Sequence, residues 1–162
     1  MQLAGKLRAT RQPPLATTPK RVVMPRIEFY VLSTAVPGDR LRAACQLTMK
    51  AWRAGLPVFV RGSDAQQCSE LDELLWRFKA ESFVPHSLQQ DDAQAPVVIG
   101  LDQEPLMTQG VLINLSQTLS PQVEHFSRVI EIVNQEPSLL SACRDNFRSY
   151  RQRGYDPKRV EL

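Results

Sequence analysis

The sequence predicts an α/β domain with a mostly parallel central sheet flanked by helices. Three observations support this. Strand-like and helix-like segments alternate from residue 26 onward, an order that favours parallel strands joined by right-handed helical crossovers. The strand-like segments are short and apolar on both faces, as in a sheet covered on both sides. A chain of 162 residues, 43% of them apolar, can bury one core of that size.

The elements follow in order. In "RIEFYVLS" Ile27, Phe29 and Val31 line one face and Tyr30 and Leu32 the other, which reads as a strand between two layers. After the turn "TAVPGD", Leu41, Ala44, Cys45, Thr48 and Trp52 recur at helical spacing, and Gly55 stands where a helix C-terminus places glycine. "PVFVRG" gives a second short strand. Ser63 is placed to cap a helix over "DAQQCSELDELLW", with Leu71, Leu74 and Leu75 inward and its acids toward water. "SLQQDDAQA" reads as an exposed linker, "PVVIGL" as a third strand and "GVLINLS", beyond a loop containing Pro105, as a fourth. "SRVIEIV" is strand-like through its β-branched residues, with a short helix as the alternative. The last helix, "PSLLSACRDNFRSYRQRG", starts with Pro137 near its first position and ends at Gly154.

Charge is unevenly distributed. Residues 1–26 carry six Lys or Arg and no acid, leaving fourteen basic against seventeen acidic residues in the remainder. A slightly acidic body argues against a domain whose whole surface is a nucleic-acid footprint. Residues 1–23, with Pro13, Pro14 and Pro19 and no sustained periodicity, read as a disordered extension to a domain spanning 24–162. A transit peptide or a basic nucleic-acid-binding arm is the other reading of so acid-free a segment. Cys45, Cys68 and Cys143 are odd in number and widely spaced, as expected of reduced thiols in a cytoplasmic protein. No apolar run is long enough for a membrane span.

Enzyme signatures are sparse. The turn after the first strand has only Gly38 and lacks both GxGxxG and the Gly-Lys-Ser/Thr of a phosphate loop, so no nucleotide cofactor is expected. The cysteines and His86 and His125 show no metal-ligand spacing, so no metal is expected. A Cys or Ser nucleophile meeting His86 in space is the enzyme alternative, a small hydrolase or nucleotide-dependent enzyme, but no G-x-S-x-G supports it. No catalytic residues are assigned.

Two surfaces attract attention instead. Trp76, Phe78, Phe83, Pro85 and His86 fall within eleven positions of a chain with two Trp and six Phe. The leucines already give the preceding helix its apolar stripe, so these rings either close the end of the sheet or stand outside as a hot spot for a partner protein. On the last helix, Arg144, Arg148 and Arg151 project within about 60° of arc, with Phe147 beside them on the core-facing edge. Such a row is either a solvated face or a receptor for an acidic peptide. In the second case guanidinium forks hold carboxylates while Phe147 and Val133 offer an apolar shelf. A short acidic tail ending in a hydrophobic residue and a free carboxylate would suit it.

At these residues the chain resembles the chi subunits of bacterial DNA polymerase III holoenzyme, from about Met24 to Tyr155. "LDELLW" followed by "AESFVPHSL" matches a signature of that family closely, and "FYVLS", "AWRAGLPVFV" and "SLLSACRDNFRSYRQRGY" are supporting features. The resemblance implies a Rossmann-like domain without a nucleotide loop and without catalysis of its own: a non-catalytic accessory subunit of the replicase and its clamp loader. It implies two partners, the psi subunit and the acidic C-terminal tail of single-stranded-DNA-binding protein, with DNA contact mainly indirect and an alternative helicase at the psi surface. By position, Trp76 and Phe83 match residues facing psi, and Val133, Arg144, Phe147 and Arg148 match the tail site. Phe147 stands where the family can have Tyr, and Leu140 where it can have Lys, so a hydroxyl and a cation of the family pattern are missing.

Overall fold

The computed structural model describes residues 24–77, 84–102 and 109–162. The extension 1–23, the ring residues Phe78 and Phe83, and the loop containing Pro105 lie outside the described residues. Among the described residues the elements run β1 (Arg26–Val31), α1 (Pro37–Arg53), β2 (Val58–Arg61), α2 (Ala65–Arg77), β3 (His86–Leu88), β4 (Val97–Gly100), β5 (Gly110–Asn114), β6 (Phe126–Val133), α3 (Pro137–Gln152) and β7 (Lys158–Glu161), with a 3-10 turn at Val123–His125 before β6.

All seven strands are parallel, in the order β3-β4-β2-β5-β6-β1-β7, and form one open sheet. β2, β4 and β5 are buried at every residue, because helices or loops cover both their faces. One face carries α1 and α2: Ala44, Met49, Leu71 and Leu75 pack on Val58, Val97, Val111 and Ile113. The other carries α3, with Leu139, Cys143, Phe147 and Tyr150 against Ile27, Phe29, Val129 and Val133. Each large side chain fully buried this way contributes about 1.5–3 kcal/mol.

Most sequence expectations for the elements hold. "SRVIEIV" is strand, lying in β6 between β5 and β1. Gly55 and Gly154 follow α1 and α3 with φ of 85° and 93°, the backbone region that glycine enters without a Cβ clash. Pro137 occupies the first turn of α3, whose cap is Glu136, its carboxylate accepting from the Leu139 N–H at 3.1 Å. Four details differ. Helix α1 begins at Pro37, so the segment read as a turn supplies its first helical turn. The cap of α2 is Asp64, which accepts from the Gln67 N–H at 2.8 Å, while Ser63 donates its own N–H to the Gln67 side chain at 2.7 Å. Ser87 and Leu88, read as linker, belong to β3, and β7 is an additional strand at the other end of the sheet.

Candidate functional site

The arginine row of α3 overlooks a groove of about 690 Å³. Its floor is Phe29, Val31 and Val133, contributed by neighbouring strands paired in register. Its wall is the face of α3 that presents Leu140, Arg144, Phe147, Arg148 and Arg151. These five residues fall on one side because 3.6 residues make a turn. Phe147 is the hinge of the arrangement. Its ring packs on Phe29 at 5.3 Å, which anchors it to the core, and the Arg151 guanidinium lies 5.4 Å from its centroid. The result is an apolar shelf rimmed by cations.

The guanidinium groups are held loosely. Arg148 reaches Asp145 at only 3.5 Å, with both side chains largely exposed. Among the described residues Arg144 has no carboxylate within salt-bridge distance. An incoming carboxylate therefore meets donors that need not abandon strong internal partners. Val133 is nearly buried, at 6% exposure, so it serves as floor rather than as a projecting contact.

Beneath the groove the sheet carries a buried polar network. Glu131, on β6, accepts from Tyr150 Oη of α3 at 2.7 Å and from Asn114 Nδ2 at 3.0 and 3.1 Å. Burial pushes its carboxyl up to about 7, against the opposing pull of these donors and of Arg61 and Arg40. Arg61 donates to Asn114, to the Thr118 carbonyl and to Asp102, and is itself buried. The network ties α3 to the central strands.

In open α/β sheets a ligand usually enters where adjacent strands send their connections to opposite faces. Here that point lies between β1 and β6, whose following helices, α1 and α3, cover opposite faces. The chain itself closes it. Leu32 N–H bonds Val133 O, Gln135 N–H bonds Thr34 O, and Gln135 Nε2 donates to Leu32 O, all at 2.8–2.9 Å. Arg40 reaches under from α1 to the carbonyls of Ile132 and Leu115.

The second expected surface lies at the far end of the sheet. Trp76, in the last turn of α2, is 58% exposed, the most exposed of the large apolar side chains among the described residues. One side of its indole rests on His86, ring centroids 4.9 Å apart. His86 is the first residue of β3. Its nitrogens face the Val84 and Asp72 carbonyls at 2.7 and 3.1 Å, with its side chain fully buried. Phe83, expected beside Trp76, lies outside the described residues. The thiols offer little nucleophilic character: burial pushes Cys45 up to about 12, and Cys68 and Cys143 are raised for the same reason.

The structure thus brings Val133, Arg144, Phe147 and Arg148 together around one groove. It adds residues the sequence reading did not assign to the site: Arg159 on β7 at the opposite rim, and Phe29 and Val31 in the floor. The alternation in "RIEFYVLS" already marked Phe29 and Val31 as one face of a strand. That the two would lie under a groove beside α3 was not visible, because it depends on how α3 packs on the sheet.

Comparison with known proteins identifies the family. The model of the family described as DNA polymerase III chi subunit, HolC, matches residues 24–158. The DNA polymerase III subunit chi of Pseudomonas aeruginosa is 48% identical over 132 residues, covering 82% of this chain and 93% of that protein. Its counterpart from Escherichia coli K12 is 32% identical over 140 residues, covering 82% and 95%. That from Haemophilus influenzae is 29% identical over 132 residues, covering 80% and 92%. A match over most of the chain, on a parallel α/β scaffold, places this protein in the DNA polymerase III chi subunit family.

Proposed function

We propose that this chain is a non-catalytic adaptor of the DNA polymerase III holoenzyme, gripping the acidic C-terminal tail of single-stranded-DNA-binding protein in the α3 groove while its Trp76 surface holds the psi subunit. Family membership supports the replicative role. The observation that carries the tail site is the groove itself: an apolar floor beneath Arg144, Arg148 and Arg151, with no strong internal partner for Arg144 among the described residues. Forked guanidinium groups suit side-chain and terminal carboxylates, and the shelf at Phe147 suits an apolar last residue. The psi assignment rests on the exposure of Trp76.

The work done is tethering. Single-stranded-DNA-binding protein on the lagging-strand template offers several tails, and each encounter is strengthened by the local concentration that the psi link provides. DNA is contacted mainly through the partners, and the protein acts in the cytoplasm at the replisome. The folded unit is residues 24–162, with 1–23 an appended extension.

The test is a titration of the purified full chain with a synthetic peptide of the last nine or so residues of the cognate single-stranded-DNA-binding protein, at low and high salt. Micromolar binding that weakens with salt, and weakens about tenfold or more in Arg144→Ala, is expected from the loss of a charge-assisted fork. A folded wild-type protein that does not bind the peptide would overturn the tail reading.

A further inference from the structure

The groove has a second charged wall, and it does not come from α3. β7 pairs with β1 in parallel, Phe29 opposite Arg159 and Val31 opposite Glu161. Register partners share a face. The Phe29 ring lies against Phe147 and Tyr150, so Arg159 and Glu161 also project to the α3 side. Arg159 lines the groove across from the arginine row. Its Nε donates to Glu161 Oε2 at 2.7 Å, with both side chains about two-thirds exposed. The family match ends at Lys158, so neither residue lies within it.

Resting on the tail reading, we propose that Arg159 is a further peptide-binding cation, so that an acidic peptide is held between α3 and β7, and that Glu161 is an internal competitor that occupies Arg159 while the groove is empty. The chemistry is an exchange of carboxylates. Arg159 releases Glu161 and accepts a carboxylate of the peptide, and Glu161, at the rim, returns to water. The groove's affinity is then set partly by a residue that never touches the ligand. Because Leu140 supplies no charge to the α3 wall, a cation on the opposite wall gives the peptide's acidic side chains a partner there.

The experiment uses the full chain and the same synthetic peptide, with wild type, Arg159→Ala, Glu161→Gln, the double variant and Arg144→Ala, each checked for a native unfolding transition. Arg159→Ala is expected to weaken binding about two- to fivefold at low salt and to flatten its salt dependence, the scale of one exposed charge contact. Glu161→Gln, which leaves the groove floor and α3 unchanged, is expected to tighten binding by a similar factor. That gain should vanish in the double variant. Wild-type affinity in both single variants, with Arg144→Ala still impaired, would overturn this proposal and leave the tail site standing. Absence of binding by the wild type would remove the tail site and this proposal together.

Discussion

At the scale of single residues, the side chains that matter divide into those whose neighbours lie on the same element and those whose neighbours are remote. Arg144, Phe147 and Arg148 were legible in the sequence because helical periodicity alone puts them on one face. Glu131 was not. "SRVIEIV" shows an acid in an apolar strand, but its partners Asn114 and Tyr150 sit on other elements, and only the sheet order brings them together. Its burial has a pH consequence. With its carboxyl at about 7 in the fold and near the ordinary 4.5 when unfolded, Glu131 binds its proton more tightly in the native state. Its contribution to stability is full below 4.5 and is lost as pH rises through about 7. Urea unfolding of wild type should therefore show a decline on the order of 1–3 kcal/mol across that window, and Glu131→Gln should flatten it. An unchanged slope in the variant would assign the pH dependence to other groups. Tyr150→Phe removes the phenolic donor to Glu131 and should cost about 1–3 kcal/mol in the same assay, the usual penalty for a buried acceptor deprived of its donor.

At the scale of elements, helices announced themselves through stripes and end signals, and edge strands did not. The glycines after α1 and α3, and Pro137 at the start of α3, are local devices that work without knowledge of the rest of the fold. β3 and β7 have no such signature. A three-residue strand such as "HSL" or a polar one such as "KRVE" is defined by the backbone groups that a neighbour offers, here β4 and β1. This is why Arg159 escaped the sequence reading while the α3 wall of the same groove did not. The end of α3 also matters for β7, since the chain turns at Gly154 to reach that strand. With φ at 93° and open space around its Cα, Gly154→Ala introduces backbone strain without a steric clash. A loss of about 1–2 kcal/mol in unfolding free energy is expected. An unaltered midpoint would show that the turn accommodates a side chain by shifting its backbone.

At the scale of the whole molecule, the two proposed partner surfaces stand as far apart as the sheet allows. α2, which carries Trp76, packs on β3 and β4, while the groove lies over β1 with β7 as its outer wall. They occupy opposite ends of the seven-strand order and opposite faces of the sheet. With strands about 4.8 Å apart, β4 and β1 alone are separated by roughly 20 Å. A tether needs this separation, because one partner must not displace the other. It was not legible from the sequence, where Trp76 and Arg144 are merely distant positions, since their placement depends on β1 and β6 becoming neighbours. Independence of the sites is therefore the molecule-level prediction. Trp76→Ala should weaken psi binding, by the 2 kcal/mol or so typical of a hot-spot ring, and leave tail-peptide affinity within about twofold. Arg144→Ala should do the reverse, and saturating psi should leave the wild-type peptide titration unchanged. Additivity of the two substitutions would identify a scaffold holding two partners at once. A peptide affinity that moves severalfold when psi binds would instead overturn independence and show that the two sites are energetically coupled.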